Sequence, residues 1–202
     1  MTVLVTMRGH VSDWAAFKGA IDWYAGLPRP AGLHWSRTYR REGDEDYIVM
    51  MEEWDDHDSY HKSTDALGEE FTERTKQKSW DGWETEVWHH SDAPHVASDG
   101  TRSVVVWMTV SPPDWNAFKE TVGWAVDRPK PKGLHSTQVY RNEKDPNLVL
   151  DLEEWDSHDI WMQFADEVGE EFNERAKTGG LEWETFIWHP SDASVIDPHA
   201  GD

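Results

Sequence analysis

The sequence predicts an α+β fold in which one compact unit is written twice. Three observations carry this: a tandem repeat over almost the whole chain, a strand–helix–strand–strand–helix–strand order in each copy, and enough tryptophan to build a core. Asp13-Trp14-Ala15-Ala16-Phe17-Lys18 recurs as Asp114-Trp115-Asn116-Ala117-Phe118-Lys119, and Gly32-Leu33-His34 recurs as Gly133-Leu134-His135. Glu52-Glu53-Trp54-Asp55 returns as Glu153-Glu154-Trp155-Asp156, and Trp83-Glu84-Thr85 as Trp183-Glu184-Thr185. About 40 of roughly 90 paired positions agree, too many for chance, and two copies are fewer than the three or more of a solenoid. The copies are expected over residues 1–93 and 103–193, with a linker over 94–102 and a C-terminal tail over 194–202.

The elements follow in order. Val3 to Arg8 and Val104 to Thr109 are short β-branched runs that read as strands. Ser12 and Ser111 offer N-caps for the next helix, with Pro112 and Pro113 suited to a first turn. Trp14, Phe17, Ile21 and Tyr24 recur at steps of three and four, as do Trp115, Phe118 and Val122, marking a half-buried helix. Pro28-Arg29-Pro30 and Pro129-Lys130-Pro131 end these helices. A hairpin is expected from Leu33 to Arg40 and Tyr47 to Trp54 around a polar turn, with Asp145-Pro146-Asn147 as the turn of the second copy. Asp56 and Ser157 then cap a second helix, and Trp83 to His89 and Trp183 to His189 close each copy as strands. This βαββαβ order is ferredoxin-like, a four-stranded antiparallel sheet with two helices on one face. Two such repeats packed sheet-to-sheet, as an intramolecular α+β barrel, would cover the second sheet faces.

Composition narrows the function classes. With 40 acidic and 19 basic side chains the formal charge is −21, which repels phosphates, so neither nucleic acid nor an anionic membrane is an expected partner. The absence of cysteine excludes disulfides, thiolate metal sites and thiol nucleophiles. No leader or membrane-length apolar run is read, so a cytoplasmic location is expected. Only 37% of residues are hydrophobic, but 14 are tryptophans, and each can bury on the order of 150–250 Å².

Glu52-Glu53-Trp54-Asp55-Asp56 and Glu153-Glu154-Trp155-Asp156-Ser157, each leading into the second helix, carry a resemblance to the antibiotic biosynthesis monooxygenase group of dimeric α+β barrels. The resemblance covers nearly all of both copies. It implies a covalently fused pseudo-dimer, with further homodimerisation open. It also implies kinship with cofactor-independent oxygenases of aromatic polyketides, with haem-degrading enzymes and with isomerases. The Trp and His that haem-degrading members carry further along the second helix fall on Ser63 and Phe164 and near Glu73 and Glu174, so haem degradation is not expected.

Strand parity supplies the candidate chemistry. Ile48, Met50, Glu52 and Trp54 share one face, as do Val149, Asp151, Glu153 and Trp155, and a carboxylate on a buried face needs a partner. An ion pair of Glu52 or Glu153 with Arg37, Arg40 or Arg141 is the structural alternative; a general base raised toward neutrality by desolvation is the functional one. His34 and His135, each shortly after a glycine, are the other candidate bases. Trp54, Trp155, Trp88 and Trp188 at strand ends are expected to stack on a flat aromatic ligand, with Arg40 and Arg141 as further binding residues. His57 and His61 have metal-gripping spacing, but Met162 replaces the second in the other copy, so no metal and no cofactor is expected. Bulkier residues such as Phe164 in place of Ser63 are expected to fill one pocket and leave a single working site. The leading reading is a cofactor-independent monooxygenase-like enzyme for an aromatic or polyketide-type small molecule. A non-enzymatic binding or stress-associated protein and a haem-binding protein are the alternatives.

Overall fold

A computed structural model describes residues 2–175 and 183–197. Contacts divide the chain into two compact units, one holding the chain up to His89 together with the segment from Pro190 onward, the other holding His90–His189. Residues 198–202, the end of the expected tail, lie outside the described residues. Among the described residues no helix is long and apolar enough to cross a membrane.

The first unit runs β1 (Val3–His10), α1 (Trp14–Ala25), β2 (Leu33–Arg41), β3 (Asp44–Trp54), α2 (His57–Thr75) and β4 (Glu84–His90). Its strands pair antiparallel in the order β2-β3-β1-β4. The second repeats this as β5 (Val104–Val110), α3 (Trp115–Val126), β6 (Leu134–Asn142), β7 (Val149–Trp155), α4 (His158–Arg175) and β8 (Glu184–Pro190), ordered β6-β7-β5-β8.

Asp13 and Asp114, not Ser12 and Ser111, cap the first helix of each unit. Each carboxylate accepts the amide three residues on, at 3.0 Å. Helix α1 begins one residue later than a Ser12 cap would require and α3 three residues later than a Ser111 cap would, and the Ser12 hydroxyl instead meets the Gln77 side chain. The second helices are capped as expected: Asp56 accepts the Ser59 amide at 2.8 Å and the Ser157 hydroxyl accepts that of Ile160 at 3.3 Å.

Alternation along β3 decides what the helices cover. Ile48 and Met50 pack with Phe17 and Ile21 of α1, and Trp54 packs with Tyr24 and Tyr60. In β7, Val149 meets Phe118 and Val122, and Trp155 meets Ile160 and Phe164. With a side-chain period of two, Glu52 and Glu153 must therefore point under the helices.

The Ser-Asp-Ala stretches expected to end each copy clamp a helix and sheet edge. Asp92 belongs to the second unit, where it accepts from the Trp115 indole at 3.2 Å and from Lys119 at 2.5 Å, while the Ser91 amide donates to the Val139 carbonyl. Asp192 belongs to the first unit, where it accepts from the Trp14 indole at 3.1 Å and the Ser191 amide donates to the Thr38 carbonyl.

Candidate functional site

In the first unit the space between sheet and helices does not close. A cavity of about 100 Å³ remains, lined by Met7, Met50, Glu52 and Trp54 of the sheet, Tyr24 of α1, and Tyr60, Ser63, Leu67 and Phe71 of α2. Glu52 is 3% exposed. Its carboxyl accepts from the Ser36 hydroxyl at 3.0 Å and from the Trp54 indole at 3.1 Å. Neither partner is a cation, so the ion pair open from the sequence is not made: Arg37 lies near Asp197, and Arg40 near Glu45.

Without a counter-charge, burial dominates. It pushes the Glu52 carboxyl up to about 7, against the opposing pull of the Ser36 and Trp54 hydrogen bonds. Burial, then the nearby Glu52 charge, holds the Tyr24 phenol protonated well above its usual range, with Ser63 working weakly the other way. Tyr60 is also raised, first by burial, and its hydroxyl donates to the Met7 sulfur at 3.5 Å. The result is an apolar chamber holding one carboxyl that changes charge near neutral pH and two phenols that do not.

The second unit has diverged at the same place. Its cavity is about 40 Å³, and Phe164 stands where the first copy has Ser63, its ring centroid 5.2 Å from that of Trp155. The Trp155 indole donates to Glu153 at 2.8 Å. Asp151, 6% exposed, shares the cavity with Glu153 in place of the apolar Met50. Both acids are pushed up by burial, and Asp151 further by the charge of Glu153.

Of the residues expected from the sequence, Glu52 and Trp54 meet in one cavity, and Glu153 lies in the other. The remaining candidates stand elsewhere. Trp88 is paired with Leu4 across the sheet and donates to the Thr6 hydroxyl, on the face opposite to Val87 and Glu52. Trp188 falls likewise, its ring 6.4 Å from that of Trp107. Arg40 lies over the Trp14 ring and Arg141 over Trp115, each also donating to a backbone carbonyl of its own hairpin. Among the described residues no group of three or more metal-ligating side chains converges.

His34 and His135 lie outside both cavities and act as clamps. His34 contacts Asp55 at 2.8 Å; His135 is held between Asp99 at 2.9 Å and Asp156 at 2.8 Å. Burial opposes the charged form of His135 most strongly, but the two carboxylates together raise it. A histidine raised on folding contributes stability that is complete below its unfolded value, about 6.5, and is lost as pH rises through the folded one. His135→Gln is therefore expected to destabilise the protein at pH about 6 and to make little difference at pH about 9, measured by urea unfolding.

Tyr24, Tyr60 and Ser63 escape a single-copy reading because each looks like an ordinary helix-stripe position. Comparing the copies marks them, since they align with Ala125, Trp161 and Phe164.

Neither the protein-family models nor the curated proteins contain a match. Solved structures do. The chain is similar to a provisionally assigned monooxygenase of Lactobacillus acidophilus NCFM at 12% identity and a TM-score of 0.67, covering 98% of this chain and 100% of that one. An anthrone oxidase-like protein matches at 14% identity and a TM-score of 0.62, over 98% of this chain and 94% of that one. A ferredoxin-fold protein of Listeria monocytogenes related to antibiotic biosynthesis monooxygenases matches at 11% identity and a TM-score of 0.56, over 95% and 96%. At such identities the likeness establishes the fold alone. The chain has the ferredoxin-like α+β fold of the proteins related to antibiotic biosynthesis monooxygenases.

Proposed function

We propose that the first unit is a cofactor-independent oxygenase site for a small, electron-rich aromatic carbon acid. The observation that carries this reading is Glu52: a buried carboxyl with no cation, poised near neutrality in an apolar cavity beside two phenols. The names of the solved relatives, a monooxygenase assignment and an anthrone oxidase-like protein, support the reaction class.

The chemistry follows from the walls. Glu52 takes the proton of an activated C–H, and the carbanion, delocalised into the ring, passes an electron to dioxygen. The radical pair combines as a C–O bond, the peroxide takes up a proton, and loss of the second C–H proton with O–O cleavage releases water. In balance, one methylene and one dioxygen become one carbonyl and one water, so the substrate itself supplies the electrons. Tyr24 and Tyr60 stay protonated and can donate to the developing anion, while Trp54 and Phe71 exclude water. A space of about 100 Å³, smaller than the engineered cavities of about 150 Å³ that accept benzene, limits the buried part of a substrate to at most a single ring.

The test is oxygen consumption with single-ring aromatic compounds that carry an activated methylene. Turnover that is lost in Glu52→Gln and kept in His34→Ala supports the reading. No uptake across the panel, or full activity in Glu52→Gln, overturns it. Quenching of tryptophan fluorescence without oxygen uptake would make the cavity a binding site only.

Ser63→Phe, which copies the second unit, is expected to close the cavity. Phenol quenching of tryptophan fluorescence should weaken at least tenfold, with the fold retained by circular dichroism.

A further inference from the structure

The second cavity carries chemistry that the first does not, and it stands apart from the oxygenase reading. We propose that the cavity of the second unit is a binding site for a compact primary ammonium group on a short alkyl chain, with Asp151 as its anionic partner and Glu153 beside it.

Asp151 is the starting observation. It lines the cavity, it is only 6% exposed, and its Oδ1 has no hydrogen-bond partner among the described residues. A buried acceptor left unmatched costs stability, and the first copy avoids that cost with Met50 at the same position. Glu153, two residues along the same face, has part of its acceptor capacity taken by the Trp155 indole. Thr137 on β6 adds a hydroxyl oxygen to the cavity. Val122, Val126, Leu134, Phe164 and Phe172 supply apolar walls.

The other charged groups facing this space are Arg128 and Lys130, which follow α3. Arg128 lies over the Trp124 ring at 5.0 Å and 4.0 Å from both Glu167 and Glu171. Lys130 sits 3.9 Å from Asp99 and donates to the His135 carbonyl at 3.4 Å. Both cations are thus engaged away from Asp151, and α4 adds only phenylalanines to the lining.

The geometry favours an ammonium over a metal ion. Calcium takes six to eight oxygen ligands, more than the five side-chain oxygens of Asp151, Glu153 and Thr137, one of which the Trp155 indole already engages, whereas an ammonium has three N–H donors for three acceptor groups. Its head is near the size of water, which needs about 10–15 Å³ of such space, and the cavity is about 40 Å³. The chain's charge of −21 draws cations toward it. An arriving ammonium would favour the ionised form of Asp151, so binding must release a proton and tighten as pH rises toward neutrality.

The experiment is calorimetric titration of the full chain with n-butylammonium chloride near pH 7, in two buffers of different ionisation enthalpy, against sodium butyrate and potassium chloride. Expected are saturable binding of butylammonium with net proton release, at least tenfold weaker binding in both Asp151→Met and Asp151→Asn, and unchanged binding in Ser63→Phe. Thermal unfolding confirms that each variant is folded; should Asp151→Met not fold, Asp151→Asn decides. No saturable binding, equal binding of butyrate or potassium, or undiminished binding in the folded Asp151 variants overturns the proposal.

Discussion

Glu52→Gln is expected to stabilise the protein by about 3 kcal/mol at pH 8 relative to wild type, and to lower turnover by at least about 100-fold. Burial raises this carboxyl from 4.5 to about 7 on folding. A group raised in this way contributes its stability in full below the unfolded value and loses it as pH climbs through the folded one. Wild type should therefore weaken between about pH 4.5 and 7 from this group alone, while the glutamine variant, neutral throughout, does not. The difference of wild type and variant at each pH isolates the effect, because the remaining acidic side chains titrate alike in both. Equal stability of the two proteins at both pH 4 and pH 8 would refute a desolvated Glu52. A stabilised but inactive variant would show stability given up for a base at the site.

Trp54→Ala is expected to cost about 3–5 kcal/mol in urea unfolding, the range for removing a fully buried large aromatic. The indole is 1% exposed, its ring centroid 5.9 Å from that of Tyr60, and it spans the floor of the cavity. Trp54→Phe separates packing from hydrogen bonding. It keeps a ring in place at a smaller cost but removes the indole N–H that Glu52 accepts at 3.1 Å. With that donor gone, the ionised carboxylate loses support, so the pH at which Glu52 becomes active should move upward. A Trp54→Phe variant with an unshifted pH–rate profile would mean that the indole does not hold the carboxylate.

The duplication, the order of elements and the face on which Glu52 and Glu153 lie were all legible in the chain. The duplication shows in motifs that recur far apart, as Asp13-Trp14 and Asp114-Trp115 do, and the other two depend on local periodicity: two residues per repeat in β3 and β7, three to four in the helices. The cap of α1 was legible to within one residue, because Ser12 and the adjacent Asp13 are equally good local signals and only the helix start chooses between them. That of α3 was missed by three, because Pro112 and Pro113 read as a first turn but precede the Asp114 cap. Which tryptophan reaches the cavity was only half legible. Trp54 and Trp88 look alike at strand ends, yet one lines the cavity and the other faces the opposite side of the sheet.

From the amino-acid order alone, this protein is an acidic, cysteine-free, twice-written α+β chain with a carboxylate on a buried strand face in each copy. That follows because backbone hydrogen bonding and hydrophobic periodicity act over a few neighbouring residues. The three-dimensional arrangement decided the rest: that His34 and His135 meet aspartates outside the cavities, and that Glu52 is left with a hydroxyl and an indole in place of an arginine. Charge state and cavity volume depend on groups brought together from distant parts of the chain, and no window of sequence contains them.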